Sequence, residues 1–331
     1  MNRILVTGAT GAVGPRVVQI LREAGYQIRT LSIDPPDPDL FPDGVEVLIG
    51  DVTDPSVVKS AVQGIKTIVH MASLLHIVNP PPTLRKEYEK VNVGGTDTVV
   101  QAALRENVER VIFFSTIAVY GNTANQIITE NTPPYPDTFY AQTKLTAEKI
   151  VLQAQRTNGQ PLGTVLRFGA VYGPRVKGNY RRLLLSLKQG KFIPIGDGHN
   201  RRTLIYDRDV AKAVLLTIEH PEAAGQVYNV SDGNFHTLNE IIRVMCKALD
   251  RSPPRISLPV KPVRWTISVL EVFSHLFGIN VTIGRDMVDK YIEDIAVDSQ
   301  RIRIQLGFEP QYGLVKGWEE TIREMKQNGY L

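Results

Sequence analysis

Two spacings of apolar residues alternate along the first 170 positions. Short runs rich in β-branched residues, ILVT (4–7), VEVLIG (45–50), TIVH (67–70), RVIFFS (110–115) and GTVLRF (163–168), predict strands, and a further strand run covers Ile28–Asp34. Stretches of helical length lie between them, roughly 12–24, 54–63, 85–106 and 138–158. Such alternation predicts βαβ units and a parallel sheet with helices on both faces. The strand runs are nearly all apolar, as strands buried on both sides are. Asp54-Pro55 reads as an N-cap followed by proline at the first helical position. The stretch 34–43 holds four Pro and four Asp and reads as a rigid acidic loop.

After about 170 the alternation degrades. Helical patterns cover 179–189, 208–219, 237–249, 263–277 and 314–327, with short extended pieces between. The expected architecture is therefore α/β, a Rossmann-type doubly wound parallel sheet with a smaller, mostly C-terminal lobe. Residues 1–168 and about 207–230 would form the nucleotide-binding domain. Residues 169–206 and about 231–331 would form a substrate lobe. The segment 207–230, with the strand QVYNV, is expected to return to the main sheet.

Composition narrows the function classes. With 43% hydrophobic and 22% charged residues among 331, the chain is neither disordered nor fibrous. One cysteine, Cys246, excludes an intramolecular disulfide framework and points to the cytoplasm. The first residues lack the apolar core and cleavage site of a signal peptide, and no run of about 18 apolar residues predicts a membrane span. The apolar pattern at 263–277 (Val269, Leu270, Phe273, Leu276, Phe277) reads as a helix buried in the lobe or at a subunit contact, in preference to one docked on a membrane. His275 within it, and Cys246, read as packed residues. No His/Cys/carboxylate cluster has metal spacing.

The net charge of +4 and a pI near 9.0 raise nucleic acid as a partner. No aromatic-interleaved basic stripe supports it. Instead the charge is local: residues 175–202 carry eight Lys or Arg against the single acid Asp197, which leaves the rest of the chain slightly acidic.

Directly after the first strand run comes Gly8, Thr10, Gly11, Ala12, Val13 and Gly14, opening a helix. Glycines admit a pyrophosphate to the backbone, and a helix N-terminus favours its charge. Asp51 and its neighbour Val52 follow the third strand run. Met71, Ala72 and Ser73 follow the fourth, on the sheet edge where doubly wound folds bind ligands. At the end of the second run Ser32 stands where a ribose-binding acid is expected, with Asp34 two residues on. No arginine follows to pair a 2′-phosphate, and the acidic loop would repel one, so NAD is favoured over NADP.

Tyr140 and Lys144 form YxxxK within a helical pattern and share one helix face. A phenol titrates at about 10, and a neighbouring ammonium is expected to lower that value towards a working base. Ser115 and Thr116 end the fifth strand run, where a third group should bond the same substrate oxygen. Their alternative role is backbone capping.

TGATGAVG, GDVTD, HMAS, NVGGT, STIAVYG and YAQTK, in this order and spacing, resemble the extended short-chain dehydrogenase/reductase family of NAD-dependent epimerases and dehydratases, from the first residue to about 325. The resemblance makes Thr116, Tyr140 and Lys144 catalytic, with Ser115 a neighbour among the cofactor contacts. Asn92 becomes a residue that steadies a helix beside the site. Residues 165–182 and 196–207 resemble nucleotide-sugar members, which implies that Asn179, Arg202 and, less directly, His199 contact a nucleotide-diphosphate sugar. An Arg-x-Gly-Asp-like segment found in many UDP-sugar epimerases is absent before DSQRIRIQLGF, where Arg285 or Lys290 would have to substitute. The implied function is a UDP-sugar 4-epimerase working as a homodimer. A nucleotide-4-keto-sugar reductase, a hydroxysteroid or β-hydroxyacyl dehydrogenase and a non-catalytic NAD sensor are the alternatives.

Overall fold

The computed structural model describes residues 2–75, 81, 83–122, 126–277 and 285–331, with backbone only at 269–277 and 285–287. Its centre is a seven-stranded sheet. In chain order the strands are β1 (Arg3–Thr7), β2 (Gln27–Ser32), β3 (Glu46–Ile49), β4 (Thr67–His70), β5 (Arg110–Thr116), β6 (Gly163–Phe168) and β7 (Val227–Val230). Across the sheet they run β7-β6-β5-β4-β1-β2-β3, every pair parallel. The order reverses between β1 and β4, so a crevice opens at their carboxyl ends.

Two apolar layers explain the near-continuous hydrophobicity of the strands. On one face, α1 (Gly14–Glu23) brings Val17, Val18 and Leu21 against Ile4 and Val6. On the other, Val58 and Val62 of α2 (Pro55–Val62) pack with Leu5 and Ile68. Asp54 caps α2 as expected, its carboxylate accepting from the Ser56 amide at 2.8 Å. Strand β3 departs from the pattern. It pairs only with β2 at the sheet edge, and Val47 and Ile49 are 41% and 61% exposed.

The helical run at 85–106 is interrupted. After α3 (Leu84–Tyr88) a π-helical turn spans Glu89–Gly94, and α4 (Gly95–Arg105) continues. Gly95 sits where a Cβ would lie 2.9 Å from the Val52 side chain, so the start of α4 presses close to the loop that follows β3. Helix α5 (Phe139–Gln153) stops five residues short of the sequence reading. The cause is a tight turn at Asn158-Gly159, where Gly159 has φ +77° and Gln160 accepts from the Arg156 amide.

Helix α6 (Gly178–Lys188) lies in the lobe. Helix α7 (Asp207–Glu219) returns the chain to the sheet and delivers β7. The lobe is completed by α8 (Leu238–Ala248), α9 (Val260–Phe277), α10 (Arg285–Ile292), α11 (Gln300–Leu306) and α12 (Leu314–Gln327). Its core stacks Trp318 on Tyr172, ring centroids 4.6 Å apart, among Leu184, Ile241 and Met245. Gly317 permits that stack, since a Cβ there would meet the Tyr172 hydroxyl at 2.0 Å. Cys246 is buried in the same core.

Candidate functional site

The glycine loop leaves β1 at the crevice. Gly8 has φ +69°, and a Cβ on it would lie 2.7 Å from the Ala72 amide nitrogen, so β1 and the β4 terminus approach closely only with glycine there. A Cβ on Gly14 would sit 2.0 Å from the Ala9 carbonyl oxygen. Gly11 closes the loop by donating to Gly8 at 3.0 Å. Helix α1 then begins with Val13 as N-cap and no side-chain cap, which leaves its first amides, preceded by Thr10–Val13, to an anion. These features fit a dinucleotide pyrophosphate.

Around the loop, Ser32 is 6% exposed and its hydroxyl accepts from the Thr10 amide at 3.3 Å. Asp34 stands exposed two residues beyond. Asp51 accepts from the Thr53 amide at 2.8 Å, and Val52 is buried against Gly95. Arg175, the first residue of the basic run 175–202, reaches the glycine loop. Its Nη2 lies 3.4 Å from the Thr10 carbonyl, its Nη1 3.8 Å from Asp37, and its Nε is buried without a partner. An arginine therefore does face this end of the crevice. Nothing in the local sequence marks it, because Arg175 and Thr10 are 165 positions apart.

Beneath the loop runs a buried chain of hydrogen bonds centred on His70. The Thr96 hydroxyl donates to the Asn92 carbonyl at 2.7 Å, so its oxygen accepts from His70 Nε2 at 3.1 Å. Nδ1 is then an acceptor and takes the Thr7 proton at 2.7 Å. Thr7 Oγ1 in turn accepts from the Met71 and Ala72 amides at 3.2 and 3.3 Å, which leads the chain on towards Ser73. Burial, helped by the Lys144 charge, holds His70 neutral, with its pKa down at about 3.

Asn92 lies in the π turn and is 1% exposed. Its Oδ1 accepts from Leu74 at 2.8 Å, and its Nδ2 donates to Thr143 at 3.2 Å. Thr143 donates to the Tyr140 carbonyl at 2.8 Å. The π turn therefore ties the β4 loop to the helix that carries Tyr140 and Lys144.

Helix α5 starts at a Thr138 cap and packs beside β5. Lys144 is 2% exposed, and its ammonium sits 4.2 Å from the centre of the Phe113 ring, three residues before Thr116 on β5. Burial draws the lysine down to about 7, against an opposing pull from Glu148. Burial, with Tyr88 adding to it, pushes the Tyr140 phenol up rather than down. The expected lowering is absent because the same desolvation that penalises the phenolate also drives the lysine towards neutrality.

The two hydroxyls at the end of β5 separate in role. Ser115 donates to Glu148, which Arg167 grips through Nε at 3.0 Å and Nη2 at 2.6 Å. That bond commits the Ser115 hydroxyl proton to the protein interior. Thr116 Oγ1 accepts from the Ala118 amide at 3.2 Å, so its own proton remains to donate.

The lobe residues do not converge in the same way. Asn179 is exposed at the start of α6, and so is His199, whose amide donates to Asp197. Arg202 donates to the carbonyls of Lys290 and Tyr291 at 2.8 and 2.7 Å. Arg201 forms a fork on Asp294, and Lys290 bonds Asp137 and Glu293. The Arg285 side chain lies outside the described residues. The basic segment is thus not one anion site, because its arginines face three different neighbourhoods. Among the described residues no cluster of His, Cys, Asp or Glu could hold a metal.

Residues 4–231 match the sequence profile of the NAD dependent epimerase/dehydratase family. The chain is 28% identical to a UDP-glucose 4-epimerase of Vibrio cholerae, covering 98% of this chain and 95% of that protein. It is 29% identical to a 3 beta-hydroxysteroid dehydrogenase/Delta 5-->4-isomerase of Mycobacterium tuberculosis, covering 94% and 87%. Among solved structures, MoeE5 in complex with UDP-glucuronic acid and NAD superposes with a TM-score of 0.79 at 25% identity, over 99% of this chain and 100% of that one. A match running from the glycine loop to the last strand of the sheet makes the chain a member of the NAD-dependent epimerase/dehydratase family.

Proposed function

We propose that this NAD-dependent enzyme is a nucleotide-sugar epimerase of the UDP-sugar 4-epimerase type. The reading is carried by Tyr140 and Lys144 on one face of α5, with Lys144 against the strand that ends in Thr116. The likeness to a UDP-glucose 4-epimerase over nearly the whole chain supports the sugar class. Gly8, Gly11, Gly14 and the first amides of α1 would hold the pyrophosphate, Asp51 the adenine end, and Ser32 the ribose, with NAD favoured over NADP. When bound, the oxidised cofactor supplies a hydride acceptor and a positive charge that favours the Tyr140 phenolate. Tyr140 takes the proton of the sugar hydroxyl and returns it after the sugar has turned over. Thr116 donates to that oxygen throughout, and Lys144 steadies the phenolate. Asn92 and Thr143 fix the helix that carries both side chains. A homodimer through helices of the nucleotide-binding domain is part of this reading.

A second reading, a hydroxysteroid-type dehydrogenase, is favoured by one observation. Arg201 and Arg202 are already bonded within the protein, which leaves the diphosphate without its expected fork. Incubation with UDP-glucose and other UDP-sugars, followed by absorbance near 340 nm and product chromatography, decides between them. Interconversion of two sugars without net NADH supports the epimerase. Stoichiometric NADH consumption with a 4-keto sugar supports the reductase and overturns the epimerase. Inertness towards all sugars, with NADH formed from a 3β-hydroxysteroid, supports the second reading.

A further inference from the structure

We propose that one face of the lobe docks on the surface of an anionic lipid bilayer. This goes beyond the proposed reaction and does not depend on it. Four large apolar side chains stand out into solvent together: Ile256 at 74% exposure, Trp265 at 70%, Ile193 at 54% and Leu258 at 41%. Backbone geometry brings the segments of three of them alongside each other. Ile195 and Leu258 form an isolated parallel bridge, with the Leu258 amide donating to the Pro194 carbonyl at 2.8 Å, so the segment of Ile193 lies against the one that carries Ile256 and Leu258. Leu258 leads within two residues into α9, whose exposed face carries Trp265 while Ile267 turns inward at 8% exposure. Over its first turns the helix is thus anchored by Ile267 and presents Trp265 to solvent beside Lys261 and Arg264.

The segment that carries three of the four apolar side chains holds cations and no acid. From Arg251 to Trp265 the chain has Arg251, Arg255, Lys261 and Arg264 and no acid, and Lys188 and Lys191 precede Ile193. Arg264 pairs with Asp289, whereas Lys191, Arg255 and Lys261 are exposed and make no ion pair among the described residues. Lys261 lies one helical turn before Trp265, on the same face. An indole and aliphatic chains rimmed by free cations match the boundary of an anionic membrane, where apolar groups enter the acyl edge and cations meet headgroups. A second copy of the chain is a poorer occupant, because an isologous contact would set these cations against themselves. No helix of the described residues is long and apolar enough to cross a membrane, so the contact is one of surface.

Intrinsic fluorescence gives a direct test, because the chain has two tryptophans and Trp318 is fully buried. The full-length protein is mixed with phosphatidylglycerol/phosphatidylcholine vesicles and, separately, with phosphatidylcholine alone. The expected result is a blue shift of the Trp265 emission and co-sedimentation with the anionic vesicles only, both lost in high salt. Joint Lys191→Glu and Lys261→Glu substitution lowers vesicle affinity by roughly tenfold or more. Trp265→Phe removes the spectral shift while co-sedimentation persists. Absence of both shift and co-sedimentation overturns the proposal. So does a shift that grows with protein concentration without lipid and accompanies a doubling of mass, which would assign the face to a second copy. None of these readouts uses the reaction, so a wrong substrate class leaves them unaffected.

Discussion

The crevice and the lobe treat their polar groups differently. At the crevice, Thr7, His70, Thr96, Asn92 and Thr143 each hold defined buried partners, and the chain they form ends at the cofactor loop and at the Tyr140 helix. In the lobe, the basic residues that looked like one cluster are divided among Asp294, two backbone carbonyls and open solvent. Preorganisation lies on the side where the proposed reaction would move protons and hydride. The substrate side is left to be completed by whatever binds. Burial separates the two regions energetically as well. The Glu148–Arg167 pair is 1% and 6% exposed, against 14% and 29% for Asp294–Arg201.

The contrast can be broken at several points. Tyr140→Phe is expected to cut turnover by about 10²–10⁴-fold with NAD affinity unchanged, as measured by steady-state rates and by cofactor titration. Turnover within twofold of wild type, about 0.4 kcal/mol or less, would remove Tyr140 from the chemistry. Glu148→Gln should cost about 3–5 kcal/mol in urea unfolding, since it strands a buried guanidinium. Asp294→Asn should cost only about 1 kcal/mol by the same measurement. Equal losses would erase the distinction between the regions.

A pH series sharpens the crevice side. His70 titrates at about 3 when folded and at 6.5 when free, so the unfolded chain binds the extra proton between those values. Stability from this group is therefore complete above pH 6.5 and is lost as pH falls towards 3, by up to several kcal/mol. Comparing urea midpoints at pH 7 and pH 5, His70→Asn should flatten the acid slope relative to wild type. An identical slope in the variant would show that His70 is not held neutral. The smallest effect is expected from Arg175→Gln, which should weaken NAD binding about three- to tenfold with the circular dichroism spectrum unchanged. Unaltered affinity would return Arg175 to the substrate side.

Legibility in the sequence followed distance along the chain. Gly8, Gly11 and Gly14 could be read because a strand, a turn and a helix N-terminus lie within a dozen residues. Tyr140 and Lys144 could be read because one helical turn separates them. The His70 relay could not, since its hydroxyls come from β1 and α4, and no local spacing encodes their meeting. The place of Arg175 beside Thr10, 165 positions away, is illegible for the same reason. Ser115 and Thr116 are adjacent, yet only the position of Glu148 tells which hydroxyl faces inward. The edge strand β3 looked buried because its apolar letters match those of the central strands, and sheet order is not written in a strand's own composition.

One long-range contact bears on how the molecule is made. Arg16, in the first turn of α1, is paired with Glu324 of α12, 308 positions later, and lies 3.5 Å from Asp207 at the start of α7. During synthesis, the helix that follows the glycine loop is made 308 positions before its anchor. Until α12 arrives, Arg16 and Asp207 face each other without the acid that completes the group. The pairing that ties α1 to α12 therefore forms only once translation has passed that helix.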